Sequence, residues 1–174
     1  YNQSFGGGAT DACIVEFPSS NGLVWSTYFG GSGAETTTGN DIQEPNVTIT
    51  SSDDVYLCGA SWHPGSNFPF WPSSYGGSYY QTATTGQWAF IAKFNSSRQQ
   101  TWTTLYGAVG QSVITSLDAT SDLYGNVYFT GSCSIPGLVG SGNYCQVPPA
   151  NNQFPMCNYS GVNFTETYLP ANPN

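Results

Sequence analysis

The chain has 174 residues, enough for one ordinary domain or for a few repeat modules that share cores with their neighbours. Only 7% are charged, Lys93 and Arg98 are the sole basic residues and the formal net charge is -8, so phosphate backbones and anionic bilayers would be repelled; this excludes nucleic acid and acidic membrane surfaces as partners. With 39% hydrophobic and 16% aromatic residues the chain is too apolar to stay disordered, and its 21 glycines and 11 prolines are spread along it as turn punctuation.

Strand-length segments rich in β-branched and aromatic residues alternate with turn sequences from the start. "CIVEF" (13–17) closes at the turn "PSSNG" and is followed by "LVWSTYF" (23–29) and a glycine turn. "VTITSS" (47–52) and "VYLCGAS" (55–61) meet at the hairpin "SSDD". "FIAKF" (90–94) closes at "NSSRQ" and leads to "TWTTLY" (101–106), after which "VITSLDA" (113–119) and "VYFTGSC" (127–133) complete the series. No window carries helical apolar spacing of useful length, so the expected class is all-β.

The strands recur. "DACIVEFPSSNGLVWSTYFGGSG" (11–33) lies over "WAFIAKFNSSRQQTWTTLYGAVG" (88–110) without a gap at an offset of 77, matching Phe17 with Phe94 and Trp25 with Trp102. "DVYLCG" (54–59) lies over "NVYFTG" (126–131) at an offset of 72. A single four-stranded sheet cannot cover both its faces, so such units need stacked neighbours, as in propeller blades or a solenoid of sheets. With a for "VTITSS", b for "VYLCG", c for "FIAKF" and d for "TWTTLY", residues 1–136 divide into c and d strands at 11–33, one complete blade at about 46–110, and a and b strands at 112–133. The expected architecture is two four-stranded β-propeller-like blades per chain, stacked in a repeat array, with the termini splitting a blade and residues 137–174 forming an irregular Cys/Pro-rich extension. Trp25, Trp102, Phe17 and Phe94 are the expected packing residues of the blades.

The order "FGGGATDACIVEF", "GLVWSTYFGGSG", "SSDDVYLCGAS" and "NFPF", followed by "WAFIAKFNSS", "TWTTLYGAVG" and "YGNVYFTGS", resembles the bacterial SBBP β-propeller repeat over roughly residues 5–135. The resemblance implies a propeller-like fold in a secreted or cell-surface protein, often beside adhesion modules, and no particular reaction. A closed propeller takes about four to eight blades, more than this chain supplies. The seam is also suggestive: "ETYLPANPN" followed by "YNQSFGGGATDACIVEF" would imitate "FPFWPSSYGGSYYQTATTGQWAFIAKF". A half-blade at each end is expected to be completed by another copy, head to tail, giving a ring or a filament.

No nucleophile elbow, P-loop, zincin or EF-hand motif is present, and His63, the sole histidine, sits in the turn "SWHPGS". No enzyme activity and no cofactor are therefore expected. Asp53 and Asp54 are expected to hydrogen-bond locally within their hairpin. "GND" and "SSDD" supply oxygen ligands of the kind calcium takes, without the alternating pattern of a recognised site. The aromatic run "SWHPGSNFPFWPSSYGGSYY" is the stronger candidate: Trp62, Trp71, Tyr75, Tyr79 and Tyr80 suit either an interface or stacking on sugars. Five cysteines without CxxC spacing point to bridges in an oxidising compartment, with Cys145–Cys157 the first pairing and Cys13, Cys58 and Cys133 the remaining candidates. Asn2, Asn46, Asn95, Asn158 and Asn163 each head an N-x-S/T sequon. Scarce charge and abundant Ser, Thr, Asn and Gly suggest an extracellular or cell-surface location. No stretch is long enough to span a bilayer, and a chain opening at Tyr1 without Met or leader reads as a mature or excised product. The expected function is an extracellular structural subunit that binds copies of itself; the alternative is a carbohydrate-binding adhesin module using the aromatic loop.

Overall fold

The computed structural model describes residues 1–35, 37–38, 41–42, 44–72, 78–107 and 113–134, of which 37–38, 41–42, 113–117 and 132–134 are described as backbone only. The extension at 137–174, with Cys145, Cys157, Asn158 and Asn163, lies outside the described residues, as do Tyr75 and the Cys133 side chain. In chain order the strands are β1 (Ala12–Glu16), β2 (Trp25–Phe29), three two-residue strands β3 (Ala34–Glu35), β4 (Thr37–Thr38) and β5 (Asp41–Ile42), then β6 (Asn46–Ile49), β7 (Val55–Trp62), β8 (Gln87–Phe94), β9 (Gln100–Tyr106), β10 (Val113–Ser121) and β11 (Val127–Ser134). The described residues contain no helix, and the chain is all-β. All eight strands expected from the sequence are present; β3, β4 and β5 are additions.

The central sheet is an antiparallel meander of β7, β8 and β9. β6 pairs with the first half of β7 and β3 with its last two residues, so both occupy one edge. β1–β2 and β10–β11 each form a separate two-stranded sheet and do not pair with one another.

The sequence repeat is a repeat of register. The pairs Ala12↔Phe29 through Glu16↔Trp25 recur as Ala89↔Tyr106 through Lys93↔Trp102, every residue 77 positions later. Likewise Asn46↔Cys58 through Ile49↔Val55 recur as Asp118↔Thr130 through Ser121↔Val127, 72 positions later. The turns follow suit. Asn21 and Arg98 both have positive φ, at 67° and 57°, and donate to the carbonyls of Pro18 and Asn95. Asp53 (φ 63°) and Gly125 (φ 85°) donate to the carbonyls of Thr50 and Asp122. Left-handed backbone suits Asn, Asp and Gly; at Arg98 the side chain's ion pairs hold it.

Alternation along the strands gives the central sheet two covered faces, which is why β8 is buried almost without interruption. On one face Leu57, Phe90, Ala92, Phe94 and Leu105 meet Ala12, Ile14 and Phe29 from the first hairpin. Phe29 is the keystone, with no exposed surface and ring centroids 5.5 Å from Phe90, 6.0 Å from Phe94 and 5.6 Å from Phe68. Offset and edge-on aromatic contacts of this kind add to the area buried. On the opposite face β10 lies against β6, β7 and β8, and Phe129 approaches Tyr56 at 6.5 Å.

Candidate functional site

The outward face of the first hairpin is apolar and open. Val15 is 49%, Phe17 67% and Tyr28 48% exposed, with Phe5 edge-on to Tyr28 at 5.9 Å. Their counterparts 77 residues later are Ala92, Phe94 and Leu105, each with no exposed surface. The same face of the same hairpin is therefore core in one copy and surface in the other. Trp25 packs edge-on to the buried Phe94 at 5.4 Å, whereas Phe17 projects outward. A groove of about 370 Å³ runs along this face, lined by Asn2, Ser4, Cys13, Val15, Ser26 and Tyr28.

The edges differ as sharply as the faces. The outer edge of β2 is closed by the N-terminal segment: Tyr28 N–H donates to the Gln3 carbonyl (3.3 Å), Gln3 N–H to Thr27 Oγ1 (2.9 Å), and Trp25 Nε1 to the Tyr1 carbonyl (2.8 Å). The identical set closes β9, where Leu105 N–H donates to the Gln81 carbonyl (3.0 Å), Gln81 N–H to Thr104 Oγ1 (2.9 Å), and Trp102 Nε1 to the Tyr79 carbonyl (2.9 Å). In both clamps the tyrosine hydroxyl bonds the glutamine Oε1, at 2.9 Å for Tyr1–Gln3 and 2.6 Å for Tyr79–Gln81. The shared Tyr-x-Gln, "YNQ" and "YYQ", was the available signal for this device. The outer edges of β1 and β11 carry no strand partner among the described residues, and a sheet edge of this kind is a template for an added strand.

The two basic side chains are committed at one end of the molecule. Arg98 binds Glu16 through both oxygens (2.7 and 2.8 Å) and Asp53 through both (3.1 and 3.2 Å), bolting the first hairpin to two turns of the central sheet. Hydrogen bonding from Arg98 holds the Glu16 carboxyl below its ordinary range. Lys93 pairs with Asp54 at 2.8 Å. Asp53 and Asp54 thus bind cations instead of capping their own turn; Thr50 Oγ1 accepts the Asp54 N–H there, at 3.2 Å. The Asx pattern occurs in the equivalent later turn, where Asp122 Oδ1 accepts from the Tyr124 and Asn126 N–H groups.

A second acid lies between the first hairpin and the central sheet. Glu35 is fully buried, with Ser61 Oγ donating to Oε1 (2.7 Å) and Gly31 N–H to Oε2 (3.1 Å). The Asp11 carboxyl sits beside it: Oδ2 accepts from Gly6 N–H (2.5 Å) and buried Oδ1 has no donor. A Cβ at Gly30 would strike both carboxyl groups, so any larger residue there would have to displace one of them. Burial, reinforced by Asp11 and opposed by the two donors, pushes the Glu35 carboxyl up to about 7.

The predicted aromatic platform is dispersed. Trp62 is 43% and Trp71 53% exposed, but Trp62 pairs with Gln87 while Trp71 bridges to Thr103, opposite Ala92. Those rows stand five residues apart along β8, about 17 Å by strand rise, so one sugar ring cannot stack on both. Tyr79 serves in the clamp, and Tyr80 is half-buried. His63 is an exposed turn residue with φ 55°. Cys13 and Cys58 both carry free thiols, and the other three cysteine side chains lie outside the described residues. Cys13 is on the outward face of β1, whereas Cys58 lies on the far face of the central sheet, and a whole layer separates them. Burial pushes the Cys58 thiol up to about 11. Of the sequons, Asn2 is exposed, Asn46 is half-buried at the start of β6, and Asn95 Oδ1 accepts from the Ser97 and Gln99 N–H groups (both 3.0 Å). Among the described residues no group of three or more His, Cys, Asp or Glu could hold a metal ion, and no helix is long and apolar enough to cross a membrane.

These features define an all-β protein with internally repeated hairpins and one uncovered copy of a core face. No protein-family model matches the chain, and no curated protein matches it.

Proposed function

We propose that this chain is an extracellular structural protein whose copies assemble head to tail by completing four-stranded, blade-like sheets between them. One observation carries this reading: Val15, Phe17 and Tyr28 form an exposed copy of a face that is fully buried one repeat later. A cluster of exposed apolar side chains on one hairpin face supports reading it as an interaction surface. The open edges agree, because β11 is equivalent to β7 and β1 to β8, the two strands joined inside the central sheet. Bringing β11 of one copy to β1 of another would rebuild that sheet by strand addition, a heterologous contact that propagates into rings or filaments. The motif resemblance to SBBP repeats and the sparsely charged, Ser/Thr/Asn-rich surface support placing the protein outside the cell.

The purified chain is expected to form rings or filaments visible by electron microscopy as its concentration rises. Val15→Glu with Phe17→Glu, both on the outward face, should abolish them while leaving the far-ultraviolet circular dichroism and melting curve unchanged. Sedimentation as a monomer at every concentration would overturn the proposal.

A further inference from the structure

We infer that β11 of one copy pairs antiparallel with β1 of the next in a single register, with Val127 opposite Phe17, Phe129 opposite Val15 and Gly131 opposite Cys13. This rests on the proposal that copies complete one another's sheets, and it specifies how they do so. The template is the β7–β8 pairing, in which Val55 faces Phe94, Leu57 faces Ala92 and Gly59 faces Phe90. β11 reproduces β7's register with its a-type partner 72 positions on, and β1 reproduces β8's register with its d-type partner 77 positions back. Carrying the template across those offsets leaves no freedom in the register.

The side chains at the transferred positions suit one another. Phe129 with Val15, and Val127 with Phe17, are apolar pairs on one face, as Leu57 with Ala92 and Val55 with Phe94 are in the template. Gly131 repeats the device of Gly59, where a Cβ would come within 2.8 Å of the Phe90 ring, and so leaves room above Cys13. Tyr128 takes the place of Tyr56 and meets Glu16 where Tyr56 meets Lys93. A slip of one residue would set Phe129 opposite Glu16 and turn the apolar set of one strand to the wrong face. In the inferred register Val15, Phe17 and Tyr28 continue the face on which Phe129 approaches Tyr56, so they turn toward the preceding copy's central sheet. That accounts for why this face is apolar.

Cysteine pairing in the full chain tests the register, with Cys13→Ser as background because Cys13 is an exposed neighbour. Cross-strand Cα atoms lie within disulfide reach only when directly opposed. Val15→Cys with Phe129→Cys should give, on assembly and mild oxidation, a ladder of covalent multimers whose mapped linkage joins 15 to 129. Glu16→Cys with Phe129→Cys, the slipped pair, should give far less. Should the Phe129 substitution unfold the chain, Glu16→Cys with Tyr128→Cys reads the same register from side chains nearer the surface. Assembly with cross-links in the slipped pair, or in neither pair, would overturn the register and leave assembly itself standing. Absence of assembly in the Cys13→Ser parent as well as in the unsubstituted chain would overturn both.

Discussion

Raising the pH from 5 to 8 should loosen this protein, and the cause is Glu35. Its carboxyl titrates near 7 in the folded chain against 4.5 when free, because burial outweighs the Ser61 and Gly31 donors. A raised carboxyl binds its proton more tightly in the folded state. Its contribution is therefore fully present below 4.5, declines as pH rises toward about 7 and is gone above it. The difference between the two values, at 1.36 kcal/mol per unit, corresponds to about 3 kcal/mol, or about 10 °C in melting temperature for a chain of this size. Urea denaturation at half-unit pH steps would display the slope. Asp11→Asn is the informative variant: its amide can donate to Glu35 from the Oδ1 position, which now has no donor, while its oxygen keeps the Gly6 N–H. The variant should be more stable than wild type at pH 8 and show a shallower slope, and Glu35→Gln should abolish the slope between 4.5 and 7. Stability independent of pH between 5 and 8, or a steeper slope in Asp11→Asn, would refute the reasoning.

Arg98→Gln should cost about 1–2 kcal/mol at neutral pH by breaking charge-assisted bonds at a partly exposed site; because Arg98 holds the Glu16 carboxyl low, the loss should shrink as the pH falls and Glu16 takes up its proton in the wild-type protein, as urea titrations stepped from pH 7 into the acid range would show. Phe29→Ala should cost about 3–5 kcal/mol, because the keystone ring leaves a cavity between two layers that cannot collapse onto each other; equilibrium unfolding would measure it. Iodoacetamide at pH 8 should label Cys13 in the folded, unassembled chain and reach Cys58 only after unfolding, as peptide mapping by mass spectrometry would reveal, since Cys58 is fully buried and its thiol is raised to about 11.

The eight principal strands were legible because each is a short β-branched or aromatic run closed by a turn signal, and the two offsets, 77 and 72, carried register as well as identity. What stayed hidden was decided at long range. Nothing near Glu16 announces Arg98, 82 residues away, and nothing in "GAETT" shows that Glu35 will be sealed between two layers. Asp53 resembles an ordinary turn aspartate until the Arg98 side chain folds over it. Phe17 and Phe94 show the limit most plainly: the same residue at the same place in the same hairpin is 67% exposed in one copy and fully buried in the other. Local sequence specifies the hairpin, and only a neighbouring layer decides which of its faces is interior.

The concentration of Lys93 and Arg98 at a single pair of turns has one more effect. Every other part of the surface is left without a basic side chain to offset a net charge of -8, so two such molecules drift together as like-charged bodies and attract only on close contact. At physiological ionic strength that repulsion fades beyond about 8 Å, whereas in dilute buffer it reaches much farther. Brine or mild acid, more than crowding, should govern how fast they meet.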